Sequence, residues 1–269
     1  MQIKSTFRQR VFSFLLFTSL LTGVVSCKKD KNENPTPAPP PATELIKEFK
    51  TGDEFIRFDY SAAGDVNKVT IKTDAPAGGA TLDYTVTYAA GKKIASLETP
   101  GEKIVPVYEN NLVTRADIFQ DNERVGYTTY LYENNALKRA TIYFGQENDF
   151  NPFLDFNFTY NAAGNVTETV ALMANGEPGH LERSGHTTYQ YDQKTNPLYA
   201  QKDLLALFWL APSKNNITVQ NEFDAAQQPE DKFVYNYTYN ANGLPKSAVV
   251  TQGLPGQPNT TSNVTFTYK

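Results

Sequence analysis

The chain has 269 residues, a net charge of −4, one Cys, two His and 13% aromatic residues. A single cysteine excludes a disulfide framework and any Cys-rich zinc or iron–sulfur centre, and two histidines leave little for His-based metal or acid–base chemistry. Residues 1–41 carry +4 and the remaining body −8. An acidic body has no basic footprint for nucleic acid, so that class of partner is excluded, and no cofactor or metal is expected.

The first element in chain order is an address. Lys4, Arg8 and Arg10 precede a short apolar run from Val11 to Val25. The run is too short for a membrane-spanning helix and has the layout of a secretory signal over residues 1–26. Val24-Val25-Ser26-Cys27 resembles a bacterial lipobox, with the chain's only cysteine in the acylated position. Cys27 is therefore the expected lipidation site, and acyl chains would anchor the protein to a membrane. Residues 27–44, with five prolines between Lys28 and Ala42, read as a semi-rigid tether. Asp30 and Glu33 follow Cys27 closely, as in surface-export signals, so an outer-membrane lipoprotein facing the cell surface is expected.

The rest, residues 45–269, reads as one domain built from a repeated hairpin. An aromatic residue closes a strand before each turn at Tyr60, Tyr88, Tyr108, Tyr132, Tyr160, Tyr191, Phe223, Tyr239 and, at the chain end, Tyr268. Before these turns the residues alternate. Phe233, Tyr235, Tyr237 and Tyr239 share one parity against Asn236, Thr238 and Asn240, and Phe156, Phe158 and Tyr160 oppose Asn157 and Thr159. Period two with aromatic and β-branched residues denotes strands buried on one face. Within the turns, Asn161 is placed to bond the backbone ahead. Gly64, Gly91, Gly164 and Gly243 supply positive φ, a role that Asn111 and Asn135 take in the shorter turns. The expected fold is all-β, a meander of about fourteen to eighteen antiparallel strands. A sheet that long curls into an open or closed barrel or splits into two layers.

The Tyr-Asn-x-x-Gly-x-Val units resemble the YD repeats of RHS-type proteins, although Asn often stands for Asp and the spacing is irregular. The whole body is more similar to a family of Bacteroidetes lipoproteins of unknown function with a porin-like β fold. Shared features are the lipobox, the Pro-rich spacer, Tyr191-Asp192-Gln193-Lys194-Thr195-Asn196-Pro197 and Ser213-Lys214-Asn215-Asn216. The resemblance implies a fold and a cell address, and supplies no catalytic residues.

One segment breaks the β pattern. Asp203 is followed by eight apolar residues, Leu204 to Ala211, and then Pro212. A short helix near 203–211, capped by Asp203 and ended by Pro212, is expected. It plugs a mouth or edge of the curled sheet, or acts as a lid over a ligand with Trp209 in contact.

No nucleophile elbow, dinucleotide fingerprint or P-loop occurs, and Ser184 lacks elbow spacing. His180 and His186 are six apart, about 20 Å along a strand, and read as loop residues. Asp117, Asp121 and Glu123 form one acidic group, while Asp149 and Asp155 flank Asn151-Pro152. Neither group has calcium-loop spacing, and neither is a visible acid pair for glycoside hydrolysis. The expected function is a non-enzymatic module that binds a glycan or an outer-membrane protein, the glycan through exposed Tyr rings. The alternatives are a carbohydrate-active hydrolase, whose carboxylates converge from separate hairpins, an integral outer-membrane β-barrel, or a purely structural spacer.

Overall fold

The computed structural model describes residues 44–73, 80–146, 149–177, 179–253 and 255–269. The signal, Cys27, Asp30, Glu33 and all of the tether before Glu44 lie outside the described residues. Alternating sequence becomes strand where expected. The first eight strands are β1 (Ile46–Thr51), β2 (Glu54–Tyr60), β3 (Val66–Thr73), β4 (Ala80–Tyr88), β5 (Ile94–Thr99), β6 (Glu102–Glu109), β7 (Leu112–Gln120) and β8 (Glu123–Glu133). The others are β9 (Ala136–Gln146), β10 (Asp149–Tyr160), β11 (Val166–Ala174), β12 (Leu181–Thr195), β13 (Asn215–Asp224), β14 (Pro229–Tyr239), β15 (Pro245–Gly253) and β16 (Thr260–Tyr268). Each pairs antiparallel with its sequence neighbour, and β1 pairs with β16, so the sixteen strands close into a barrel. Closure removes the exposed strand edges that an open sheet would leave.

The turns work as their residues require. Asn161 Oδ1 accepts the amides of Ala163 and Asn165 at 3.0 and 3.1 Å. Asn110-Asn111 and Asn134-Asn135 take positive φ at both positions, the mirror-image turn that suits a right-twisted hairpin.

The two faces of the wall differ sharply. Across β16, β1, β2, β3 and β4 one row of partners reads Phe266, Phe49, Ile56, Ile71, Leu82. The adjacent row reads Thr267, Glu48, Arg57, Thr70, Asp83. On the other side, Ala116, Thr128, Ile142, Leu154 and Met173 alternate with Arg115, Thr129, Thr141, Asp155 and Leu172. The apolar rows face the lumen, where Ile71, Ala116, Ile142 and Leu154 are buried in the main core. The outer face is mainly polar and charged, with Val107, Leu131 and Val249 exposed among the polar residues: Glu48 pairs with Arg57 at 2.6 Å, Lys68 with Asp83 at 3.0 Å, and Asp117 with both Arg115 and Arg124.

The β12–β13 connection enters the lumen. A 3-10 turn, Pro197–Gln201, runs into a five-residue helix α1 (Lys202–Ala206). Leu204, Leu205, Ala206, Leu207 and Phe208 are buried in the same core as the inward strand residues. Phe208 meets Tyr84 of β4 edge-on at 5.1 Å, Trp209 reaches Thr128 of β8, and Gln201 reaches Tyr60 of β2. The segment thus spans one mouth as a plug.

Three details differ from the sequence reading. Asp203 lies inside the helical run, exposed and paired with Lys202. Asn196 caps the run instead, its side chain accepting the Leu198 amide at 3.0 Å, because Pro197 already starts the turn. The helix also ends before Trp209, which takes φ 62. Phe223 does not belong to the aromatic series. It closes the β13–β14 turn at the opposite mouth and faces outward, paired with His186.

Candidate functional site: the plugged mouth

Eight tyrosines ring the mouth that holds the plug: Tyr60, Tyr88, Tyr108, Tyr132, Tyr160, Tyr191, Tyr239 and Tyr268. A register shift marks the strand end at all eight of them. Across β10–β11, Tyr160 opposes Val166 while Thr159 opposes Glu168. The extra residue, Thr167, lets Tyr160 and Val166 both face inward across the turn. The inward ring then reaches sideways. Tyr88 Oη donates to the Val66 carbonyl at 2.8 Å, Tyr108 to Ile94 at 3.1 Å, Tyr160 to Leu137 at 2.8 Å and Tyr191 to Val166 at 2.6 Å. Tyr60 to Ile46 and Tyr268 to Pro245, each at 2.6 Å, continue the pattern across the closure. In most of the repeats, then, the tyrosine staples its hairpin to the preceding one, at the residue following that hairpin's turn. A hydrogen bond of this kind contributes about 1 kcal/mol net.

The Tyr191–Pro197 and Ser213–Asn216 motifs are a strap for the plug. Asp192 accepts the amides of Lys194 and Asn216, the Asn216 side chain at 3.1 Å, and the Tyr239 hydroxyl. Ser213 Oγ donates to Tyr191 Oη at 2.8 Å and accepts the Val166 amide at 2.9 Å. Asn165 and Asn215 exchange two bonds at 2.9 and 3.0 Å. Both ends of the 196–214 connection are thereby fixed to the barrel rim.

Between the plug and the β8–β9 and β10–β11 turns lies a cleft of about 670 Å³, a size suited to a small ligand. Leu210, Ala211 and Pro212 make its apolar side, and Tyr132, Tyr160 and Tyr199 supply rings. A second cleft of about 470 Å³ lies beside the β4–β5 and β6–β7 turns, and Tyr132 and Asp203 border both. Tyr132 departs from the stapling pattern: among the described residues its hydroxyl has no hydrogen-bond partner, and neither does that of Tyr199. Burial, with Asp203, Tyr108 and Tyr160 nearby, pushes the Tyr132 hydroxyl well above its ordinary range, so it stays a neutral donor.

Solved structures similar in fold to this chain include two porin-like proteins. A porin-like protein from Bacteroides uniformis superposes with a TM-score of 0.58 at 14% identity, covering 86% of this chain and 99% of that one. One from Bacteroides vulgatus gives 0.53 at 12% identity, covering 84% and 99%. The barrel is porin-like in fold. No family profile matches the chain, and no curated protein is similar to it in sequence.

The other candidate residues are dispersed on this porin-like barrel. Trp209 is half-buried, donates its indole N–H to Thr128 Oγ1 at 3.0 Å and lines neither cleft. Asp155 is buried on the outer wall under Arg139, which bonds both carboxylate oxygens at 2.9 and 3.0 Å, with Thr141 adding a third bond. Asp117 is held by two arginines on the same wall, Asp121 sits in a turn with φ 51, and Asp149 accepts from Asn151. Ser184 donates to the Ala171 carbonyl at 3.3 Å. His180 lies before β12, 3.6 Å from Glu182, while His186 stacks on Phe223 with ring centres 4.4 Å apart. Nothing brings these groups to the clefts. Tyr132 and Tyr199 were missed as a pair because their free hydroxyls depend on which carbonyls lie in reach, and no local sequence signal carries that.

Proposed function

We propose that this protein is a lipid-anchored envelope module whose barrel stands in water and binds a glycan in the cleft beside its plug. The observation that carries the reading is the inversion of polarity across the wall. A barrel spanning lipid needs an apolar outer belt, and each Lys or Arg at mid-membrane costs about 2–4 kcal/mol. Here Arg57, Lys68, Arg115 and Arg139 all lie on the outer face together with their acidic partners. The apolar residues instead fill the lumen, as in a water-soluble barrel.

A tether is compatible with that arrangement. Glu44, the first described residue, is held by Asn240 and Asn242 at the plugged mouth. A lipid on Cys27 would therefore hold that mouth toward the bilayer, with an extended tether reaching on the order of 50 Å at about 3.1 Å per residue. The cleft suits a saccharide, whose apolar ring face can lie on Leu210–Pro212 and the tyrosine rings while its hydroxyls meet unspent donors.

Two measurements test this. The Cys27→Ala chain should leave the membrane fraction as a folded, soluble protein; a need for detergent to fold would establish a spanning barrel instead. A saccharide array should return binders whose affinity falls about fivefold on Tyr132→Phe, the worth of one hydrogen bond. An array without binders would refute the glycan reading.

A further inference from the structure

The charges around the larger cleft narrow its ligand class. This step rests on the saccharide reading above. Three lysines and two acids line the cleft. Lys202 is paired with Asp203 at 2.8 Å, and Lys138 lies 3.5 Å from Glu133. Lys214 is different. It is exposed, its Nζ and Cε lie over Gly164, and among the described residues its ammonium has no acidic, hydroxyl or carbonyl partner. The lining is therefore net positive, on a body of −8.

Lys214 is also held in position. Its backbone carbonyl accepts the Asn196 amide at 2.9 Å, and its neighbours Ser213 and Asn215 are bonded into the strap. The stem lies against the β10–β11 turn at Gly164, where φ is 84 and a Cβ would meet Lys214 Cε at 2.9 Å. That close approach leaves the ammonium in the lining of the cleft, beside the β10–β11 turn. Tyr132 and Tyr199 add two hydroxyl donors that have no acceptor among the described residues. A cleft with one fixed cation and two unspent hydroxyl donors is matched by a ligand rich in acceptors and carrying one negative charge.

We propose that the cleft binds an anionic saccharide, its acidic group on Lys214 and its ring hydroxyls on Tyr132 and Tyr199. A uronate carboxylate and a sugar phosphate share the required chemistry, and the probes distinguish them.

The test is calorimetric titration of the detergent-purified full-length protein with three ligands: a uronic-acid oligosaccharide, its neutral hexose counterpart and the same hexose carrying a phosphate. The expected result is a preference of about fivefold for at least one acidic ligand over the neutral one at low salt, shrinking as salt rises. Lys214→Gln should abolish the preference and Lys214→Arg should retain it. Lys103→Gln, the same charge change on the outer wall, should leave it intact. Equal affinity for acidic and neutral sugars, or a preference that survives Lys214→Gln, would overturn the assignment and leave the saccharide reading standing. Failure of all three ligands and of a wider array would instead remove the saccharide reading itself. Thermal midpoints of the variants separate lost binding from lost folding.

Discussion

Removing one hydroxyl from the tyrosine ring tests whether the repeats are stapled as described. Tyr160→Phe keeps the half-buried ring and deletes only the oxygen that donates to the Leu137 carbonyl at 2.8 Å. The loss should be about 1 kcal/mol, because folding exchanges a bond to water for one to protein, and the deleted donor leaves an acceptor with one partner fewer. For a barrel of this size that corresponds to a fall of about 2–4 °C in the thermal midpoint. Tyr132→Phe is the matched control. The same atom is removed from the equivalent position one hairpin earlier, where no bond is made among the described residues, so stability should change by less than about 0.5 kcal/mol. Urea unfolding followed by the fluorescence of the single tryptophan, which sits in the plug, reads both. A loss on Tyr132→Phe equal to that on Tyr160→Phe would show that the hydroxyl–carbonyl contacts are not what stabilises the ring.

Asp192→Ala removes the acceptor shared by the Tyr239 hydroxyl, the Asn216 side chain and two amides, and should destabilise the protein by about 2–3 kcal/mol. Hydrogen exchange at Leu204–Leu207 should accelerate more than exchange in β2–β4, and uniform acceleration would mean that the strap does not act on the plug in particular. Gly126→Ala should destabilise by about 1–3 kcal/mol, since a Cβ there would run into the Tyr143 carbonyl and lie 2.7 Å from the Phe144 ring; near-wild-type urea resistance would contradict the close packing of β8 on β9. At alkaline pH the signs are fixed by burial. Tyr60 and Tyr160 are pushed up to about 12, first by desolvation, against about 10 in the unfolded chain. Their contribution is full below about pH 10 and is lost as pH rises toward 12. Phenolate absorbance should therefore lag free tyrosine and then rise together with unfolding, and titration of all tyrosines near 10 in a folded protein would refute the assignment.

Local pattern determined the elements and their inner faces. The alternation in Phe233–Tyr239 and Phe156–Tyr160 settles which side chains face the core, because successive strand residues point to opposite sides. Asn161, Gly64 and the Asn-Asn pairs determine the turns through positive φ and side-chain bonds to the backbone ahead. The apolar run after Asp203 is legible as a helical interruption, although Pro197 moves its start back to Asn196.

Long-range geometry decided the rest. Pairing of β1 with β16 joins residues more than two hundred positions apart, and no local signal states that the curl closes. Phe223 shares the aromatic-then-turn signature of the tyrosines, yet its turn lies at the other mouth, because turn chemistry does not encode which end of a strand it caps. Tyr108 and Tyr132 are both followed by Glu-Asn-Asn. Only the folded barrel gives the Tyr108 hydroxyl a carbonyl to hold and leaves that of Tyr132 without a partner among the described residues, because a hydrogen bond depends on what stands in reach and not on neighbours in sequence.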